Sequence, residues 1–276
     1  MAGDHRGKPA IREPVLAVIA GAGNDGPMLA LLTLPKLTAV LVLAAAQGPL
    51  PKVGLNYEAC MAVARTAPDQ ALKQAKALWA AGHRAASRHC VGTALLKKGR
   101  AAQAAKVLFD LAQDSRGAPA ADRAELYIQA AGAWIEAGRA DRADGAYSVA
   151  LSLRPGDAAL YIARAVARGA QGKNFEALED LNSAIERAPG NAEAWVLRAA
   201  AWRRVGSLDL ARQDIAASLK LAPQAPSAWL EQGLVLEASD DRDGARAAFT
   251  KAVMLDPDGT TGVTARAALK RLTRGR

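Results

Sequence analysis

The stretch Ala124–Asp157, AELYIQAAGAWIEAGRADRADGAYSVALSLRPGD, decides the fold, because its pattern returns three more times without a gap, as 158–191, 192–225 and 226–259. Each copy has Ala or Gly at its eighth and twentieth positions (Ala131 and Ala143, Ala165 and Ala177, Ala199 and Ala211, Gly233 and Ala245). Each has an aromatic at the fourth (Tyr127, Tyr161, Trp195, Trp229) and Pro at the thirty-second (Pro155, Pro189, Pro223, Pro257). A fixed 34-residue period marks a stack of small units, none of which buries its apolar face alone.

Within the first copy, Tyr127, Ala130, Ala131 and Trp134 fall at i, i+3, i+4 and i+7, one face of a helix. Gly138 and Arg139 end it, since Gly accepts the left-handed conformation that closes many helices. A second helix carries Ala143, Tyr147 and Ala150, and Pro155 stops it by removing a donor and restricting the residue before it. Small residues recur at the eighth, twentieth and twenty-seventh positions, where two helices cross closely. The large fourth and twenty-fourth residues fill the adjacent holes.

This pattern resembles the tetratricopeptide repeat (TPR) family. The resemblance implies an all-α fold, a right-handed α-solenoid of stacked helix pairs with a C-terminal capping helix. It also carries an internal covariation. Arg164 at the seventh position accompanies Asp180 at the twenty-third, and Arg198 accompanies Asp214; where the seventh is Ala130 or Gln232, the twenty-third is Ala146 or Ala248. Arg164–Asp180 and Arg198–Asp214 are therefore expected to be structural ion pairs between the two helices of a repeat.

Upstream the signal decays. Degenerate pairs are expected over 56–84, broken at Ala67–Pro68, and over 85–118, followed by a loop DSRGAPAAD before the first clear repeat. Downstream, 261–272 reads as a single amphipathic cap, so the solenoid spans 56–276. The net charge of +9 is dispersed except at the C-terminus, where Arg266, Lys270, Arg271, Arg274 and Arg276 stand without an acid. No aromatic accompanies them, so nucleic acid is not an expected partner.

Residues 1–55 show no repeat. Residues 1–27 read as an unstructured or over-extended N-terminus. Residues 28–46, MLALLTLPKLTAVLVLAAA, have the anatomy of a secretory signal: a basic Lys36, a short apolar core and a small-x-small site before Gln47. Residues 47–55 form a linker. The apolar run after Lys36 is too short for a confident membrane span, so membrane contact is expected only through this segment if it stays uncleaved. The GxGxxG of Gly21–Gly26 lacks the acidic residue and second strand of a dinucleotide-binding unit, and no cofactor is expected.

Cys60 and Cys90 occupy first helices of adjacent degenerate pairs, and export would make a bridge between them plausible. With His83 and His89 they match no structural zinc spacing, so no metal is expected. No nucleophile elbow, zinc-protease helix or phosphate loop is present, and three His offer little for acid–base work; no catalytic residue is expected. Glu125, Glu136, Glu193 and Glu237 read as helix-surface carboxylates.

In TPR proteins the first helix of each pair forms the inner wall, and the resemblance places ligand contacts at the second, fifth, ninth, twelfth and thirteenth positions. The implied groove residues are Ile128, Ile135, Glu136, Ile162, Val166, Val196, Arg203, Arg204, Leu230, Leu234 and Glu237. No Asn occupies the wall, so the carboxylate-gripping chaperone-binding mode is not expected; an aliphatic ridge suits an apolar peptide or amphipathic helix. Ile162→Asp, Val196→Asp or Arg203→Glu would then abolish capture and spare helicity. The expected function is a non-enzymatic scaffold binding a protein or peptide partner in the bacterial periplasm. The alternative is a cytoplasmic adaptor whose basic tail touches a polyanion.

Overall fold

The computed structural model describes residues 55–274. These hold thirteen helices and, among the described residues, no strand. They divide into two compact units that meet in sequence at Pro155 and Gly156. The first contains α1 (Leu55–Thr66), α2 (Pro68–Ala80), α3 (Arg84–Lys97), α4 (Ala101–Asp114), α5 (Ala120–Glu136) and α6 (Ala140–Leu153). The second contains α7 (Ala158–Ala170), α8 (Asn174–Arg187), α9 (Ala192–Arg204), α10 (Leu208–Leu221), α11 (Pro226–Ala238), α12 (Arg242–Leu255) and α13 (Thr260–Arg274). Within each unit successive helices pack as hairpins, the architecture of an α-solenoid of TPR helix pairs.

The turns inside the pairs follow from one residue. Gly138, Gly172 and Gly206 have φ of 69°, 76° and 85°. The next N–H returns to a carbonyl five residues back, as in Arg139 N to Trp134 O at 2.8 Å and Ser207 N to Trp202 O at 2.9 Å. In the fourth repeat Asp240 takes the same place at φ 63°, and Asp241 N still reaches Leu236 O at 2.9 Å. Between repeats, Trp195 Nε1 donates to Pro189 O at 3.0 Å and Trp229 Nε1 to Pro223 O at 2.9 Å. In the third and fourth repeats the fourth-position Trp thus grips the proline loop that precedes it, in addition to filling a hole.

The small eighth residue is required by the twenty-fourth. A Cβ on Gly233 would stand 2.4 Å from the Phe249 ring, and one on Gly92 would stand 2.7 Å from Leu108. Both are helix crossings in which the larger the knob, the smaller its seat must be. Ser218, at the twenty-seventh position, is buried and donates to Ala192 O at 2.9 Å, tying α10 to the start of α9.

Two boundaries differ from the sequence reading. Helix α5 begins at Ala120, so part of the expected DSRGAPAAD loop is helix; Pro119 enters with φ −51° and forms its cap. The terminal helix α13 runs from Thr260, where Asp256 Oδ2 accepts from Thr261 N at 3.1 Å and fixes its first turn. The signal-like segment and the glycine stretch lie outside the described residues.

Candidate functional site

Arg164 donates to both carboxylate oxygens of Asp180, at 3.0 and 2.6 Å, and Arg168 adds a third bond at 3.0 Å. Arg198 does the same to Asp214, at 2.8 and 2.7 Å, and its other nitrogen reaches Asn182 Oδ1 at 2.8 Å. Both carboxylates are buried. A buried carboxylate tolerates desolvation only when its lone pairs are filled, and here bidentate guanidinium forks fill them. These groups hold each first helix to its partner and are spent inside the stack.

The wall formed by α7, α9 and α11 differs from the sequence expectation. Ile162, Val196 and Leu230 are only 2, 1 and 2% exposed, and Val166 is buried beside them. Ile162, Val166 and Val196 belong to one core cluster, while Leu230 packs with Phe249 and Ala265 in another. They are core rather than contact surface, and an Asp at Ile162 or Val196 would bury an unpaired charge and destabilise the unit instead of testing a groove. The fifth-position side chain is consumed where neighbouring first helices approach closely, which their Ala-rich crossings permit.

Arg203 and Arg204 are also turned inward. Arg203 Nε lies 2.5 Å from Glu231 Oε1 and its Nη2 lies 3.3 Å from Oε2, bridging α9 to α11. Arg204 Nη1 donates to Gly169 O at 2.9 Å, closing the end of α7. Burial lowers the Arg204 guanidinium and the neighbouring Arg203 charge adds to this, with Glu231 opposing. Burial raises the Glu231 carboxyl, with Arg203 holding it down. Glu237, half-buried, accepts both bonds of Arg271 at 3.0 and 2.6 Å, and Leu234 packs against the last core cluster. Glu231 was absent from the sequence expectation, although the signal existed: the only Arg at a twelfth position is followed by the only acid at a sixth, 28 residues on.

In the first unit the wall remains open. On α5, Ile128, Gly132, Ile135 and Glu136 follow one another at i, i+4, i+7 and i+8. Ile128 and Ile135 are half-buried, Glu136 is exposed, and a Cβ on Gly132 would meet no atom within 4 Å. Partial desolvation raises the Glu136 carboxyl above its ordinary value of 4.5. The strip is a shallow seat between two aliphatic side chains, edged by one carboxylate.

Beside it runs a polar chain. The Tyr57 hydroxyl lies 2.7 Å from His89 Nδ1, His89 Nε2 lies 2.9 Å from Gln129 Oε1, and Gln129 Nε2 donates to Glu125 Oε1 at 3.2 Å. The last bond fixes the others: Gln129 presents its carbonyl to His89, so Nε2 carries the proton and Nδ1 accepts from the hydroxyl. Burial holds the His89 imidazole below its ordinary 6.5, against the Gln129 hydrogen bond, and pushes Tyr57 up to about 12. The chain joins α1, α3 and α5 around one imidazole and ends on the Glu125 carboxylate. Glu125 is therefore interior, not the surface carboxylate its helix position suggested.

Next to His89, Cys90 is joined to Cys60 by a disulfide with Cα atoms 6.0 Å apart, linking α3 to α1. Among the described residues no three His, Cys, Asp or Glu side chains gather as a metal site would require. In the basic terminal helix, Arg266 donates to Pro257 O and Arg271 to Glu237, so part of its charge is engaged within the fold. No helix among the described residues is long and apolar enough to cross a membrane.

Helix pairs with a 34-residue period, left-handed turn residues and small–large crossings define a solenoid repeat protein. Residues 162–226 and 203–260 match the family model of the tetratricopeptide repeat, so this stretch of the chain is built of tetratricopeptide repeats. Among solved structures it is similar to MamA (residues 41 to the end) from Desulfovibrio magneticus RS-1, at 21% identity and a TM-score of 0.54, covering 64% of this chain and 97% of that one. It is also similar to YrrB, described as a TPR protein with an unusual peptide-binding site, at 19% identity and a TM-score of 0.50, covering 70% and 96%. At these identities the likeness is one of fold. No curated protein matches the chain.

Proposed function

We propose that this chain is a non-enzymatic scaffold that holds a protein or peptide partner along the inner face of its first-of-pair helices, in the bacterial periplasm. The observation that carries the reading is the strip on α5, where Ile128 and Ile135 flank the open position at Gly132. An apolar side chain of a peptide or amphipathic helix fits such a seat, with Glu136 available to a basic neighbour. YrrB, of similar fold, has a peptide-binding site. The titratable groups close to the strip are satisfied by one another, which suits a rigid wall better than proton transfer.

The periplasmic part of the proposal rests on the Cys60–Cys90 bridge, which an oxidising compartment maintains, together with the signal-like residues 28–46. A photo-crosslinking residue at position 132, compared with one at the exposed Ser152, tests the wall in living cells. Adducts specific to 132 support it; no adduct, or the same adducts from both positions, refutes it. N-terminal sequencing tests the compartment: a start at Gln47 supports export, and an intact Met1 or Met28 overturns it.

A further inference from the structure

Between Gln70 and Phe109 the chain carries eight Lys or Arg and no Asp or Glu, so this stretch alone holds a charge close to the whole chain's +9. The charge is thus concentrated in the first unit, which corrects the expectation that it is dispersed. Three of the eight are engaged by acids outside the stretch: Arg88 by Asp114, Lys98 by Asp69 and Lys106 by Asp110. Lys73, Lys76, Arg84, Lys97 and Arg100 have no acidic partner among the described residues.

At one place these cations gather round an aromatic. Lys73, Lys76 and Trp79 follow at i, i+3 and i+6 on exposed positions of α2. The chain then reverses at Gly82, with φ 85° and His83 N returning to Leu78 O at 2.9 Å. That reversal sets the Arg84 guanidinium over the Trp79 ring, 5.4 Å from its centroid. Trp79 is 50% exposed, the only exposed aromatic among the described residues of the first unit. Its indole N–H and the Arg84 guanidinium make no hydrogen bond within the fold, whereas the indoles of Trp195 and Trp229 are bonded to carbonyls.

Two unused donor groups and two ammonium groups beside an apolar ring match the chemistry of an anionic phospholipid surface. Phosphate oxygens accept from guanidinium and indole N–H, and Trp settles at headgroup depth because its ring is apolar and its N–H is not. Lysines close to such a surface add attraction. A single strand of nucleic acid binds through a succession of aromatic platforms, and Trp79 stands alone.

We propose that the first unit docks peripherally on membranes rich in anionic phospholipid through the α2–α3 turn. Arg84 and the Trp79 indole N–H bond headgroup phosphates, and Lys73 and Lys76 lie against the surface. The contact needs no membrane-crossing helix. It is independent of the strip on α5 and of residues 28–46, through which alone the sequence implied membrane contact.

The test follows tryptophan emission of the full chain during titration with vesicles of brominated phosphatidylglycerol and, separately, of brominated phosphatidylcholine. Phosphatidylglycerol should quench part of the emission, Trp79→Phe should remove that part, and phosphatidylcholine should quench little. Lys73→Gln with Lys76→Gln should raise the lipid concentration for half-quenching about thirtyfold, the product of two cations each worth about fivefold at an anionic surface. Lys220→Gln with Lys270→Gln makes the same charge change in the second unit and should leave that concentration within about twofold, because charges beyond a Debye length are screened. All four lysines are exposed, so unchanged circular dichroism should accompany both double variants. No quenching by phosphatidylglycerol, quenching that survives Trp79→Phe, equal quenching by the two lipids, or equal weakening by the two double variants would overturn the proposal. Polyglutamate or oligothymidylate that changes the Trp79 emission at lower concentration than the vesicles would overturn it in favour of an acidic protein or a nucleic acid. Soluble glycerol 1-phosphate acting in that way would overturn it in favour of a free phosphate ester.

Discussion

Arg203 and Glu231 join two successive first helices, α9 and α11, through a carboxylate that is 1% exposed. Removing one partner leaves an uncompensated buried charge, whereas replacing both with apolar groups removes the desolvation cost as well. Arg203→Ala should therefore destabilise the second unit by about 3–5 kcal/mol, while Arg203→Met combined with Glu231→Leu should recover most of the loss. Urea unfolding of the single and double variants checks this. Equal destabilisation by both would show that the pair contributes through packing shape and not through charge.

The same pair marks where the sequence was legible and where it was not. The 34-residue period exposed the helix pairs, their order and the Arg–Asp couplings within a repeat, because each recurs at a fixed offset. The wall was misread for a physical reason. The fifth position faces the neighbouring first helix as well as the inner surface, and the closeness of that approach is a property of the stack, not of the repeat. Ile128 on α5 therefore stays half-buried while Ile162, Val196 and Leu230 enter the core. Couplings between repeats, such as Arg203 with Glu231 or Arg271 with Glu237, occur once each and so recur at no fixed offset; Arg203 and Glu231 stand out only as the single Arg and the single acid at their repeat positions.

Acidification should loosen the first unit through His89. Its folded-state value lies below the ordinary 6.5 because burial disfavours the imidazolium, so the neutral form is favoured by folding. The contribution is fully present above pH 6.5 and is lost as pH falls from there through the depressed folded value, since the unfolded chain takes up its proton first. Glu231, raised by burial, acts with the opposite sign on the second unit, where its contribution is lost as pH rises from 4.5 through the folded value. Hydrogen exchange resolved by helix should show α1, α3 and α5 losing protection as pH falls below about 6.5. His89→Gln should flatten that response; an unchanged profile would mean that another group sets it.

The disulfide should matter to the same unit and not to the other. It closes a loop over a sequence separation of 30, between the α1 residue Cys60 and the α3 residue Cys90. On a chain-entropy basis a loop of this length contributes about 3–4 kcal/mol, within the roughly 2–5 kcal/mol that removal of a native bridge costs. Cys60→Ala with Cys90→Ala, or reduction, should lower the protection of α1 and α2 by about 2–4 kcal/mol and leave α7–α13 unchanged. Equal loss in α7–α13 would show that the two units unfold as one cooperative body.

Asp240 offers the cleanest reciprocal test. It occupies at φ 63° the turn position that Gly206 occupies at φ 85° one repeat earlier, and both turns make the same return hydrogen bond. An L-residue there meets its own carbonyl, at a cost of about 1–2 kcal/mol that Asp bears better than most residues. Glycine removes that clash but gives the unfolded chain more freedom, so Asp240→Gly should stabilise the second unit by only about 0.5–1 kcal/mol. A Cβ on Gly206 would meet no atom within 4 Å, so Gly206→Asp introduces backbone strain without a side-chain clash and should cost a similar amount. Thermal unfolding of the two single variants and their combination should give shifts of opposite sign that nearly cancel. Destabilisation by Asp240→Gly would mean that the Asp side chain supplies the turn with more than its conformation.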